Sequence, residues 1–282
     1  MTVRERLFTT HDGLRLYVRD YGDEDAPSTP LLCLAGLTRN GRDFDDVATR
    51  LAPTRRVLCP DYRGRGRSEY DRDWRNYRPA TDLRDVTDLL AALNLHRVVV
   101  LGTSYGGLIG MGLAVAAPRV LAGLVLNDIR PEVATPGFRH ILDAIRVDRP
   151  QPDWDSAEEA LRALLPGLVF RDAATWRKVT RNTFRAGADG RLHFDWDVAV
   201  ARPLRGTVGA SGDLWHLFRA VHRLPVLALR GAESDVLSRD CFDRMAVEKP
   251  DLERLTVAGT GHAPMLDEPE ARHALDAFLA RF

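Results

Sequence analysis

Hydrophobic and polar residues alternate along the first segment of the chain and give way to continuous apolar runs after it. Two alternating stretches, 4–9 and 14–20, flank Asp12-Gly13, which is a strong signal for a β-hairpin. The later runs are short and uninterrupted, as is typical of strands buried on both faces of a parallel sheet. These runs are Pro30–Ala35, Arg56–Pro60, Val98–Gly102, Gly123–Leu126, Leu224–Arg230 and Leu255–Ala258.

Helical periodicity separates most of the apolar runs. The clearest amphipathic pattern covers Ala80–Leu93, and weaker helical patterns cover 44–51, 107–117 and 268–282. Strands and helices that alternate in this way are typical of helices packed on both faces of a parallel sheet. The chain is therefore predicted to be an α/β protein with a mostly parallel, doubly wound sheet and an N-terminal antiparallel hairpin.

The alternation stops between Pro131 and His222, where three helical stretches take over, at 137–145, 156–164 and 173–184. Because the strand pattern resumes afterwards, we predict a core of residues 1–130 and 223–282 with a helical cap insertion at 131–222. Such an insertion would lie over the carboxyl ends of the strands, where open α/β sheets bind ligands. The alternatives are an independent second domain or a surface decoration.

Composition narrows the class of partner. The 282 residues carry a formal net charge of zero with a pI near 7.1, so no long-range field favours nucleic acid or an anionic membrane. We expect a small-molecule substrate and a monomer or homodimer. The three cysteines have no metal-ligand spacing, which argues against a metal site or a disulfide. The first residues lack the apolar segment of a secretory signal, so a cytoplasmic location is expected.

Ser104 stands at the centre of Gly102-Thr103-Ser104-Tyr105-Gly106, directly between an apolar strand and a helical pattern. In this context G-x-S-x-G is typical of a nucleophile held on a tight strand-to-helix turn. Glycines two residues before and after the serine keep side chains from colliding with the neighbouring strand and helix. Ser104 is therefore predicted to be a catalytic nucleophile.

A serine hydroxyl needs a general base within hydrogen-bond reach before it attacks a substrate. His262 lies in Gly259-Thr260-Gly261-His262-Ala263-Pro264, a loop that follows the last apolar run. The other seven of the eight histidines neighbour turns, precede a strand or lie in helical patterns. His262 is therefore the predicted base.

The base in turn needs a carboxylate that orients its ring. Asp235 follows the run 224–230, and the order serine, acid, histidine along the chain accompanies this nucleophile pattern. Asp235 is the predicted acid. Two alternatives stay open, namely Glu233 on the same loop and Asp128 at the end of a strand nearer the nucleophile.

Hydrolysis through a tetrahedral intermediate also needs donors for the oxyanion. One backbone N–H usually follows the nucleophile and the other belongs to the loop after the third strand, which predicts Tyr105 and Leu37. Gly36 precedes Leu37 and allows a close turn there.

Two further motifs, together with the strand-to-helix turn around Ser104, carry a family resemblance that spans nearly the whole chain. The segment 61–68 (DYRGRGRS) resembles a D-x-R-G-x-G-x-S loop, and 261–270 resembles a histidine loop with its following helix, both of the α/β-hydrolase superfamily. The resemblance implies the α/β-hydrolase fold and a cap-bearing, esterase-like serine hydrolase. Haloalkane dehalogenases and epoxide hydrolases carry aspartate where Ser104 stands, so those reactions are disfavoured. The H-G-G-G-P-G string of many C–C hydrolases is absent.

Substrate recognition is expected to involve the cap and the loop after the third strand. Candidate substrate-binding residues are Gly36, Arg39, Trp154, Trp176 and Trp215. Tryptophans near an insertion can line an apolar pocket, but ordinary packing between small helices is the alternative. Arg39 can bind a substrate carboxylate or instead pair with Asp43.

These residues predict a carboxylesterase that acts on a small, largely apolar ester through Ser104, His262 and Asp235, without a cofactor or a metal. A lactonase, a thioesterase or a C–C hydrolase with the same three residues is the alternative within enzymes. A ligand-binding protein on a hydrolase fold is the alternative outside them.

Overall fold

A mixed β-sheet of eight strands forms the centre of the molecule in the computed structural model, which describes residues 3–132, 136–205 and 213–282. Its spatial order is β1-β2-β4-β3-β5-β6-β9-β10, and β7 and β8 pair separately. The strands are β1 (Arg4–Thr9), β2 (Arg15–Tyr21), β3 (Leu31–Leu34), β4 (Val57–Pro60), β5 (Val98–Thr103), β6 (Leu121–Asn127), β7 (Phe184–Ala186), β8 (Leu192–Phe194), β9 (Val226–Gly231) and β10 (Glu253–Val257).

Strands β1 and β2 form the antiparallel hairpin that the sequence predicts, with Arg4 opposite Asp20 and Thr9 opposite Arg15. Strand β2 pairs antiparallel with β4, and every later pairing in the large sheet is parallel. Strands β3 to β6 are buried along almost their whole length, because helices cover both faces of the sheet. The predicted fold class is confirmed.

Two apolar clusters, one on each face of the sheet, make up the core. On one face Leu89, Ile109 and Phe242 pack against the strands, and on the other Val47 and Phe278 do so.

The helices are α1 (Asp45–Leu51), α2 (Pro79–Ala92), α3 (Tyr105–Ala116), α4 (Pro136–Ile145), α5 (Trp154–Leu164), α6 (Ala173–Thr183), α7 (Arg202–Arg205), α8 (Trp215–Ala220), α9 (Arg239–Glu248) and α10 (Pro269–Leu279).

The insertion between β6 and β9 has its own small core, built from helices α4 to α6 and the β7–β8 hairpin. The chain leaves the sheet and returns to it at one place, where Glu132 and Asp213 form an antiparallel bridge and Leu214 N–H donates to Pro131 O at 3.0 Å. Helix α8 packs on α3 and belongs to the core. The insertion therefore ends before Trp215, earlier than the predicted boundary at 222.

Backbone hydrogen bonds join the insertion to loops at the carboxyl ends of the parallel strands. Asp197 N–H donates to Gly64 O at 2.7 Å in the loop after β4. His262 N–H, in the loop after β10, donates to Gly167 O at 3.2 Å. The insertion therefore lies over this edge of the sheet. No helix in the described ranges combines the length and apolar character that crossing a bilayer requires.

Candidate active site

Ser104 occupies the turn between β5 and α3 in a conformation that side chains rarely adopt, with φ 52° and ψ −117°. Its N–H donates to Asn127 O at 2.8 Å, which holds the turn against the neighbouring strand. The flanking glycines are sterically required: a Cβ on Gly106 would lie 2.0 Å from Leu34 O, and one on Gly102 would lie 2.5 Å from Gly106 C. The turn therefore presents the Ser104 hydroxyl at the carboxyl edge of the sheet.

His262 contacts Ser104 with one ring nitrogen and a carboxylate with the other. The Nε2 atom lies 2.9 Å from Ser104 Oγ, and Nδ1 lies 2.6 Å from Asp128 Oδ2. Within the histidine loop, Gly261 N–H also donates to Val169 O of the insertion at 3.0 Å. Serine, imidazole and carboxylate thus form one continuous hydrogen-bonded line.

Asp128 follows β6 directly and is completely buried, with a positive φ of 53° that turns its side chain toward the histidine. Its Oδ1 accepts a hydrogen bond from Gly231 N–H at 3.0 Å, and its Oδ2 accepts one from the Ser234 hydroxyl at 2.5 Å. Ser234 Oγ itself accepts from the N–H groups of Val236 and Leu237, so its own proton points to the carboxylate. These donors satisfy a buried anion beside the imidazole.

The structure places the alternative Asp128, and not the predicted Asp235, against His262 Nδ1. Asp235 is exposed, and its carboxylate lies against Gly167, where a Cβ would come within 2.5 Å of Oδ2. Glu233 is exposed as well, and it reaches the histidine loop only through its N–H, which donates to Thr260 O at 2.9 Å. The reason is topological: β6 lies between β5 and β9, so a carboxylate at its end is nearer the nucleophile.

The predicted oxyanion donors lie on two separate segments. Tyr105 is the first residue of α3, where an N–H has no partner within the helix. Leu37 lies in the loop after β3, in a turn closed by a 3.0 Å bond from Arg39 N–H to Gly36 O. Among the residues that the structure describes, neither Leu37 N–H nor Tyr105 N–H donates to a protein acceptor. Both groups are thus available to a substrate oxygen.

The structure gives other roles to four of the predicted substrate-binding side chains. Arg39 pairs with Asp43 through Nε at 2.7 Å and Nη2 at 2.6 Å, as the alternative proposed. Trp176 is buried in the core of the insertion, and Trp154 packs at its edge with the Arg181 guanidinium 4.8 Å from its ring. Trp215 packs in the main core below α3. Trp176 and Trp215 are buried and Trp154 is half-buried, which agrees with the alternative of ordinary packing between small helices.

Two further residues were missed by the sequence interpretation. Ser234 binds Asp128 directly, and Asn127 Nδ2 donates to Thr103 Oγ1 at 3.0 Å and to Pro264 O at 2.9 Å. Asn127 therefore joins the nucleophile strand to the histidine loop. The sequence did contain an indication of this role, because Asn127 ends an apolar run immediately before Asp128.

The chain is similar to known hydrolases over most of its length. The profile described as "Alpha/beta hydrolase family" matches residues 31–275. The 3-hydroxybutyrate-oligomer hydrolase of Cupriavidus necator is 35% identical over 90% of this chain and 89% of that protein. The 2-(acetamidomethylene)succinate hydrolase of Mesorhizobium japonicum is 26% identical over 88% of this chain and 85% of that protein.

A solved structure gives the same assignment. The crystal structure of an alpha/beta hydrolase from Novosphingobium aromaticivorans superimposes with a TM-score of 0.91, at 42% identity, over 99% of both chains. The sheet order, the turn around Ser104 and these similarities agree, and this chain belongs to the alpha/beta hydrolase family.

Proposed function

We propose that this protein hydrolyses carboxylic esters with Ser104 as nucleophile, His262 as general base and Asp128 as the carboxylate that orients the histidine. The observation that supports this best is the position of His262, whose Nε2 lies 2.9 Å from Ser104 Oγ while Nδ1 lies 2.6 Å from Asp128 Oδ2. A carboxylate on Nδ1 holds the proton there and leaves Nε2 free to accept the serine proton.

In the first half-reaction, Ser104 Oγ attacks the ester carbonyl carbon while its proton passes to His262 Nε2. The carbonyl oxygen becomes an oxyanion, which the N–H groups of Leu37 and Tyr105 stabilise. The imidazolium then gives its proton to the alkoxide leaving group, and the C–O bond breaks. The products of this step are an alcohol and an acyl group bound to Ser104.

In the second half-reaction, water replaces the alcohol. His262 Nε2 accepts a proton from the water as its oxygen attacks the acyl carbon, and the same two N–H groups hold the second oxyanion. Collapse of this intermediate returns the proton to Ser104 Oγ and releases the carboxylic acid. Every proton is transferred through one imidazole nitrogen, and the chain's own residues suffice for the cycle.

Short oligoesters of hydroxy acids are the first substrates to test. The relative from Cupriavidus necator is described as a 3-hydroxybutyrate-oligomer hydrolase, and its similarity to this chain extends over nearly both full lengths. A linear dimer of 3-hydroxybutyrate offers one unactivated ester in a small molecule that ends in a hydroxyl on one side and a carboxylate on the other. Such a substrate agrees with the small, weakly charged ligand expected from the neutral composition.

The test measures turnover of p-nitrophenyl butyrate and of the linear 3-hydroxybutyrate dimer by the wild-type protein and by Ser104→Ala. We expect the variant to lose activity by about 10⁴-fold or more, since the acyl-enzyme has no other attachment point. Ser156→Ala, on α5 of the insertion, is the matched control and should retain wild-type turnover. Full activity in Ser104→Ala would refute the mechanism.

Labelling with a fluorophosphonate separates the enzyme from a binding protein on the same fold. An activated Ser104 should react within minutes and stop reacting in Ser104→Ala, whereas an unactivated serine stays unlabelled. Lactone, thioester and β-diketone substrates belong in the same panel. If one of these is turned over while both esters are not, the triad acts on a different carbonyl and the ester proposal is wrong.

A further inference from the structure

A buried arginine lies behind the site and has no step in the proposed reaction. Arg65 is fully buried, and its guanidinium carbon lies 5.7 Å from the ring centroid of Tyr62, 5.8 Å from that of Tyr77 and 6.0 Å from that of Tyr105. Taking a charge out of water is unfavourable unless specific partners compensate. The partners of Arg65 therefore indicate what the charge does.

One partner is the loop that carries an oxyanion donor. Arg65 Nε donates to Leu37 O at 2.9 Å, while Nη1 donates to Arg63 O at 2.7 Å. The first bond fixes the carbonyl of the same residue whose N–H faces the substrate in the proposed reaction. The N–H and C=O of Leu37 lie in adjacent peptide planes that meet at its Cα, so a bond that holds the C=O limits how far the N–H can move.

The second partner leads to the other oxyanion donor. Arg65 Nη2 lies 3.5 Å from Asp82 Oδ2, and this oxygen accepts a 2.6 Å hydrogen bond from the Tyr105 hydroxyl. Asp82 is fully buried in the first turn of α2. Burial raises the pKa of the Asp82 carboxyl, and the Arg65 charge and the Tyr105 hydroxyl act in the opposite direction.

These contacts form a chain from Leu37 through Arg65 and Asp82 to Tyr105. The two donors otherwise belong to separate segments, the loop after β3 and the start of α3. Two donors serve one oxyanion only if both lie about 3 Å from its position, so their relative placement matters for the rate. The contacts behind the two donors are therefore in a position to influence their spacing.

We infer that Arg65 and Asp82 are positioning residues that set the distance between the Leu37 and Tyr105 N–H groups. The inference rests on the proposed function, since it concerns the oxyanion of that reaction. It assigns a role to the second arginine of the segment 61–68 and to a buried carboxylate on α2. Neither side chain touches the substrate.

Tyr105→Phe is the first test, because it removes the hydroxyl bonded to Asp82 and keeps the ring and the backbone N–H. The oxyanion forms only in the transition state, so kcat should fall about tenfold while KM stays unchanged. The affinity for phenylboronic acid, whose serine adduct places an oxygen between the two donors, should fall by the same factor. A variant that lost only folding stability would keep the wild-type kcat and the wild-type affinity for phenylboronic acid.

Arg65→Lys is the second test, since a lysine keeps the buried charge near Asp82 but cannot donate to Leu37 O at the same time. It too should lower kcat about tenfold. The double variant should lose less than the product of the two single losses, because both changes break one chain of contacts.

Tyr77→Phe is the matched control. Its ring also faces Arg65, but its hydroxyl bonds to Asp197 Oδ2 at 2.8 Å and accepts from Asp71 N–H at 2.8 Å, outside the chain of contacts. This variant should lose stability in thermal unfolding and keep the wild-type kcat.

The outcomes separate the two proposals. If the wild-type protein shows Ser104-dependent ester turnover and Tyr105→Phe stays within twofold of the wild-type kcat, the positioning role is wrong and the proposed function stands. The same holds if Tyr77→Phe loses as much kcat as Tyr105→Phe. If the wild-type protein shows no Ser104-dependent turnover, the proposed function fails and the positioning role fails with it.

Discussion

Asp128→Asn is the substitution that tests the site geometry most directly. Asp128 Oδ1 accepts from Gly231 N–H, so the amide oxygen of an asparagine must stay at that position to avoid two donors facing each other. The amide NH₂ then takes the place of Oδ2 and points at His262 Nδ1, which is 2.6 Å away in the native protein. The Ser234 hydroxyl already accepts from Val236 N–H and Leu237 N–H, so it must give up one of these bonds before it can accept the second amide proton.

This arrangement forces the wrong tautomer on the histidine. With a donor at Nδ1, the imidazole must carry its proton on Nε2, which then cannot accept the Ser104 proton. The expected loss in kcat is about 10⁴-fold, or about 5 kcal/mol in activation free energy, as for the equivalent change in other triads. The fold should survive, because the substitution is nearly isosteric and keeps the bond from Gly231.

The assay compares Asp128→Asn with Asp235→Asn on the same ester, with thermal unfolding of both proteins as a check of folding. Asp235 is exposed and its carboxylate contacts the insertion instead of His262, so its variant should stay within about twofold of the wild-type kcat. The reverse result, a large loss in Asp235→Asn with little change in Asp128→Asn, would refute this reading of the acid.

Three other substitutions test the surroundings of the site. Ser234→Ala removes a donor to the Asp128 carboxylate and should lower kcat about tenfold at constant KM; unchanged steady-state kinetics would contradict this role. Gly106→Ala should lower the free energy of unfolding by about 3 kcal/mol or more, measured in urea, since its Cβ would lie 2.0 Å from Leu34 O. Asp61→Asn tests a pH effect. Burial raises the pKa of the Asp61 carboxyl to about 6 from 3.8, so the folded protein holds this proton more tightly than the unfolded chain does. The contribution of Asp61 to the free energy of unfolding is therefore fully present below pH 3.8, and about 3 kcal/mol of it is lost as pH rises from there through 6. The stability of wild type relative to Asp61→Asn should therefore fall between pH 4 and 6.5 in urea titrations, and a constant difference would refute the shift.

The elements of the core were accessible from the sequence because their signals are local. Runs such as Val98–Gly102 are buried on both faces, which demands continuous apolar residues. The hairpin around Asp12-Gly13 depends on one turn. Helix α9 went unpredicted because its buried stripe, with Cys241 and Met245, is short and lies among charged residues.

The same distinction between local and long-range signals applies to the candidate site. Ser104 and His262 could be predicted because a strained turn between strand and helix, and a glycine-bounded loop after the last strand, leave marks in the nearby residues. The acid could not be assigned in this way. Asp128 and Asp235 both follow strands and both precede the histidine, so local chemistry does not distinguish them.

By itself the sequence determined the doubly wound sheet and predicted Ser104 and His262 as the candidate nucleophile and base, since periodicity and turn chemistry act over a few residues. Only the tertiary structure decided which carboxylate meets His262, because that depends on the order of β5, β6 and β9 across the sheet. It also decided that Trp176 and Trp215 pack in cores, and that Arg65 joins Leu37 to Asp82. Contacts between distant segments carry no local pattern, and these contacts complete the site.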